Sequence, residues 1–97
     1  MRTYYEGLVI PELPEGLVLE MWAKRMGTIT SKKNRNDICA LISGHKAPYN
    51  KVTLCKWAPA RPDRSAHYHQ IGHYDSVQDA LNVAAVLCFL GEIEYGS

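Results

Sequence analysis

The sequence contains little recognisable machinery. Its 97 residues hold no Walker loop, no G-x-G-x-x-G, no C-x-x-C and no paired-carboxylate motif. The commonest phosphate-cradling, dinucleotide-binding and zinc-binding designs are therefore missing. Cysteine is scarce: Cys39, Cys55 and Cys88 make an odd set with no pairing pattern. That fits small, buried, reduced thiols better than a secreted disulfide framework. Long apolar runs are lacking too. The longest, Val83 to Leu90, is eight residues, against the roughly 20 needed to span a bilayer. The first ten residues have neither the apolar core of a signal peptide nor the Arg/Ser bias of a transit sequence. Repeats and low-complexity tracts are absent. These absences predict a cytoplasmic chain without membrane association, folded as a single domain over 1–97. Charge of one sign is the last shortage. The formal net charge is +1, which on its face excludes a polyanionic partner.

The distribution of that charge changes the inference. Residues 1–20 set Arg2 against Glu6, Glu12, Glu15 and Glu20, a net of −3. Residues 21–74 carry Lys24, Arg25, Lys32, Lys33, Arg35, Lys46, Lys51, Lys56, Arg61 and Arg64 against Asp37 and Asp63, a net of +8. Residues 75–97 hold Asp75, Asp79, Glu92 and Glu94 and no base, a net of −4. All four histidines, His45, His67, His69 and His73, also lie in the basic middle. Segregation of this kind points to a partner, unless the acidic ends fold back and neutralise the middle.

Local patterns outline a sheet followed by a helix. Residues 2–10 read as a short strand. Over 15–26, Pro14 suits a first helical position and Gly27 a stop. Leu17, Leu19, Met21 and Ala23 also alternate as in a strand. The helix is the preferred expectation there. The polar stretch 31–37 is a turn, Ile38 to Ser43 a strand, and 44–50 a hairpin-like loop. Lys51 to Trp57 is a second strand. Its parity turns Val52 and Leu54 toward a core and puts Lys51, Thr53, Cys55 and Trp57 on the other face. Residues 58–64 form a Pro/Arg surface loop. Ser65 to Tyr74 is a third strand with a bulge at Gly72, which lets Ile71 and Tyr74 point the same way. Asp75 or Ser76 caps a helix reaching about Leu90, and Gly91 ends it. From Val83 onward that helix is apolar all round and needs a second cover. The N-terminal segment can supply it, or a homodimer partner packed through the 76–90 helix.

The basic middle interleaves aromatics with cations, the mixture that binds nucleic-acid strands by phosphate contact and base stacking. Trp22 is expected in the core, while Trp57, followed by a Pro/Arg loop, is a stacking candidate. His67 and His69 share a strand face, which is ligand-compatible spacing. No third residue closes the set, so no metal or cofactor is assigned. The same histidines, with His73, also suit metal-independent cleavage of RNA by an acid–base pair.

The run Ile71-Gly72-His73-Tyr74-Asp75-Ser76-Val77-Gln78-Asp79-Ala80-Leu81 resembles the strand-to-helix junction of AP2-type DNA-binding domains and the related integrase arm-binding domains. HicB-like antitoxins carry a similar junction on a different sheet. The AP2-type resemblance implies a three-stranded sheet packed on one helix, with the sheet entering a DNA groove. It implies contact roles for Lys51, Lys56, Trp57 and Arg64.

The expected fold is α+β: a three- or four-stranded, mainly antiparallel sheet with one C-terminal helix on one face, and a short N-terminal helix. The leading functional expectation is a non-enzymatic module that contacts nucleic acid through Lys32, Lys33, Arg35, Lys51, Lys56, Trp57, Arg61 and Arg64. The alternative is a small protein-binding inhibitor or adaptor that docks on an acidic protein surface. A phage- or mobile-element-encoded blocker of a host nucleic-acid machine, such as a CRISPR effector, is one example. The third is the ribonuclease built on His67, His69 and His73.

Overall fold

Strand alternation, more than helical periodicity, organises the first two-thirds of the chain. A computed structural model describes residues 7–44 and 51–93. It contains β1 (Leu17–Ala23), β2 (Met26–Ser31), β3 (Ile38–Gly44), β4 (Val52–Ala58), β5 (His67–Tyr74) and α1 (Val77–Phe89). The strands form one sheet in the order β1-β2-β3-β4-β5, and every neighbouring pair is antiparallel. The α+β class is as expected, but the sheet has five strands where three or four were expected.

The difference lies at 15–26. No helix forms there, because the segment pairs with the residues after it as a tight hairpin. Leu17, Leu19 and Met21 stand opposite Ser31, Ile29 and Gly27. Gly27 is not a helix stop but a close-approach site. A Cβ there would lie 2.9 Å from the Glu20 carbonyl oxygen and would also meet the Met21 sulfur. Gly16, at φ 95°, makes the turn into β1. Residues 7–10 are not in a strand, and the rest of the expected N-terminal strand lies outside the described residues. So do 45–50 of the expected hairpin loop.

The helix-facing side of the sheet presents Leu19, Met21, Ile29, Ala40, Ile42, Val52 and Leu54, all buried. Val77, Ala80, Leu81, Ala84 and Cys88 of α1 pack on them. Each large side chain fully buried here contributes about 1.5–3 kcal/mol. Two bulges adjust this face. Cys39 is the extra residue between the Ile29–Ala40 and Thr30–Ile38 pairs and joins the core. Ile71 is the extra residue between the Leu54–Gly72 and Cys55–Gln70 pairs, and it packs on the core beside Tyr74. This is the bulge expected at Gly72.

Ser76 caps α1, its hydroxyl accepting from the Asp79 amide at 3.1 Å. Gly91, at φ 82°, ends the helix in the left-handed conformation. The N-terminal segment covers part of it. Leu8 and Leu13 pack on the core, and the Gln78 amide exchanges two hydrogen bonds with the Val9 backbone. Val86, Phe89 and Leu90 stay exposed. No helix of the described residues is long and apolar enough to cross a membrane.

Candidate functional site

The helix is shorter than the strands it covers. At 1.5 Å per residue its 13 residues reach about 20 Å. The eight residues of β5, at about 3.4 Å each, reach about 27 Å. α1 starts beside the Val52–Tyr74 rung, so it runs out before the last rungs of β4 and β5. Those rungs are Lys56 opposite His69 and Ala58 opposite His67. They continue the helix-facing side of the sheet, but polar side chains replace the core there. The result is a cavity of about 510 Å³. Lys56, His67 and His69 line one side, Arg61, Asp63 and Arg64 of the β4–β5 loop another, and Gly91 to Ile93 a third. Buried Ile93 pins that third wall. The Gly91 and Glu92 amides donate to the Cys88 and Leu87 carbonyls.

Local chemistry shapes each wall. In Arg61-Pro62-Asp63-Arg64 the two arginines exchange both backbone hydrogen bonds, at 2.8 and 3.1 Å. Proline presets the turn, and Asp suits it. Directly paired residues project to one side, so the turn presents both arginine side chains to the same cavity. His67 Nδ1 lies 2.9 Å from the Ser65 carbonyl oxygen. A carbonyl only accepts, so Nδ1 carries the proton, and in the neutral ring Nε2 is left as an acceptor. Cys39 reaches the cavity from the core. Burial, and then the charge of Asp37, push its thiol upward from its ordinary value.

Trp57 lies at the cavity margin, and its strand parity matches that of Tyr68 on the face away from α1. The two rings meet edge-to-face, 4.9 Å between centroids and 67° between planes. Both are more than a third exposed. Trp22 is on this face as well. Expected in the core, it is 50% exposed, and its indole N–H donates to Thr28 Oγ1 at 3.2 Å. Strand alternation itself puts it there, since Leu19 and Met21 of β1 face the core.

The eight expected contact residues are thus partly assembled. Lys56, Trp57, Arg61 and Arg64 line one cavity. Lys32, Lys33 and Arg35 sit in the β2–β3 turn, which meander topology places at the same end of the sheet. Arg35 is held by Glu20 at 3.0 Å. Lys51 is separate. It lies at the other end of the sheet, paired with Asp75, and that contact holds the Asp75 carboxyl below its ordinary range. Among the described residues, Lys32, Lys33, Lys56, Arg61 and Arg64 form no ion pair.

His73 does not join His67 and His69. It lies on the opposite sheet face, 2.9 Å from Thr53 Oγ1. Among the described residues, no three His, Cys, Asp or Glu side chains are grouped to hold a metal ion. The wall at 91–93, with Glu92, was not anticipated. Its only signal was the glycine that stops the helix. No family model, no curated protein and no solved structure was found to match the chain.

Proposed function

We propose that the chain is a nucleic-acid-binding module that holds a strand across the β4–β5 end of its sheet. The observation that carries this reading is the gathering of Lys56, Arg61 and Arg64, without ion-pair partners among the described residues, around one cavity beside the exposed Trp57–Tyr68 pair. Cations that keep their charge free take phosphates, and aromatic faces stack on bases whatever their sequence. Lys32 and Lys33 extend the cationic track, whereas Arg35 is engaged by Glu20 and Lys51 by Asp75. A filter-binding titration at low salt is expected to retain DNA or RNA. No retention of either would end the reading. The AP2-type likeness of residues 71–81 is a separate proposal, that the face away from α1, opposite the cavity, enters a DNA groove. Preference for duplex over single strand in the same titration would favour it.

A second reading is a protein-binding inhibitor or adaptor. It is favoured by Val86 and Phe89, each 58% exposed, and Leu90, 70% exposed, which leave an apolar strip on α1. It requires capture of a protein partner that survives nuclease treatment and is lost when Val86, Phe89 and Leu90 are replaced by serine.

A further inference from the structure

We infer that the cavity cleaves RNA, with His67 as the base and His69 as the acid of an internal transesterification. This rests on the proposed binding of nucleic acid at the same cavity. Binding alone accounts for Lys56, Arg61 and Arg64, but not for two imidazoles set among them.

The placement fits the reaction. His67 and His69 are two residues apart on one strand face, so about 6.8 Å of strand separates their Cα atoms. An in-line displacement puts the attacking and leaving oxygens on opposite sides of phosphorus. A base and an acid within about 3 Å of those oxygens must therefore stand apart on either side of it. The Ser65 carbonyl fixes His67 with Nδ1 protonated and Nε2 free to take a proton. The same β4–β5 loop that carries Arg61 and Arg64 thereby orients the base. Lys56 is directly opposite His69, where an ammonium meets the non-bridging oxygens as their charge grows. The paired arginines hold the adjoining phosphate. Asp63 and Glu92 line the same cavity. They are acceptors for a ribose hydroxyl or an imidazolium, which a purely phosphate-binding pocket has no need of.

The step closes without a co-reactant. His67 Nε2 removes the 2′-hydroxyl proton, and the 2′-oxygen forms a bond to phosphorus. The bond from phosphorus to the 5′-oxygen breaks, and its electron pair takes a proton from the His69 imidazolium. The products are a 2′,3′-cyclic phosphate and a 5′-hydroxyl. Proton exchange with water restores both rings. DNA lacks the nucleophile and is bound but not cut.

The test uses the full chain, end-labelled single-stranded RNA, the same sequence as DNA, and 2′-O-methyl RNA, all with a chelator present. The expected result is RNA fragments ending in 2′,3′-cyclic phosphate, with DNA and 2′-O-methyl RNA intact. His67→Ala and His69→Ala should each slow cleavage of bound RNA by about 10²–10⁴-fold, read as single-turnover rates at saturating protein. His67→Gln and His69→Gln serve as second variants should alanine perturb the strand. His73→Ala should cleave like the parent chain. RNA bound but left intact overturns the inference and leaves the binding reading standing. Cleavage unchanged in both histidine variants overturns it as well. Failure to bind any of the three strands ends both.

Discussion

Arg61 and Arg64 face each other across a four-residue turn, each amide bonded to the other's carbonyl. Both side chains line the same cavity. The consequence is measurable as salt dependence. Each phosphate contact to a single strand contributes about −0.7 to the slope of log affinity against log salt. Arg61→Ala with Arg64→Ala should therefore flatten the slope by about 1.4, and either change alone by about half that. Filter binding across a range of salt checks it. An unchanged slope would place the arginines outside the interface.

In the proposed complex Trp57 makes a different kind of contact. Its ring is held edge-on by Tyr68 and more than a third of it is exposed. Stacking of one base is worth about 1–3 kcal/mol. Trp57→Ala should weaken strand binding by the corresponding factor of about 5 to 150, whatever the base sequence, and leave the salt slope unchanged. The urea midpoint should move little, because the side chain is outside the main core. Quenching of tryptophan fluorescence on strand addition, compared between parent chain and Trp57→Ala, reports the same contact. Trp22 supplies the quench-insensitive remainder.

Gly27 is where the fold is least tolerant of a methyl group. A Cβ there would meet the Glu20 carbonyl oxygen at 2.9 Å, and backbone cannot swing aside as a side-chain tip can. Gly27→Ala is expected to cost about 1–3 kcal/mol, as overpacking of a filled site does. The loss should appear as a lower urea midpoint. Gly7→Ala makes a useful contrast: it has open space around it, but its φ of 76° adds strain alone. A Gly27→Ala chain as stable as the parent would show that β1 and β2 can separate locally.

Much of this arrangement could be read along the chain, where one local pattern decides. Parity turned Val52 and Leu54 inward and Trp57 outward, and placed His67 with His69. The bulge at Gly72 and the Ser76–Gly91 helix limits were equally local. The misreading at 15–26 has a physical cause. Pro14 and Gly27 punctuate the segment as a helix would be punctuated, while Leu17, Leu19 and Met21 alternate as in a strand. The pairing of Met21 with Gly27 decides between them, and it is a contact, not a propensity. Trp22 went with it, because the strand parity that buries Leu19 and Met21 turns the residue between Met21 and Ala23 outward. The cavity was illegible for a further reason. Its walls come from the strand ends, a turn and the segment after α1, and it exists because the helix stops short of the strands. Element lengths must be compared in three dimensions before that gap is visible.

Cys88 gives the fold a dependence on alkaline pH. Burial, and then its neighbour Cys39, push its thiol from 9.0 up to about 11. A raised value means that the folded chain holds the proton more tightly than the unfolded one. The resulting stability is complete below pH 9.0 and is lost as pH rises toward about 11. Over that window the unfolded chain ionises at this position and the folded chain does not. Lysines and tyrosines titrate nearby in pH, so the comparison must be internal. Cys88→Ala should be less stable than the parent at pH 8, since it leaves a small void in the core. The difference in urea midpoint between the two should then narrow steadily from pH 9 to 11. A difference that holds constant across that range would mean that Cys88 reaches water in the folded chain. Thiol labelling at pH 8 should agree, with Cys88 reacting only as the chain unfolds.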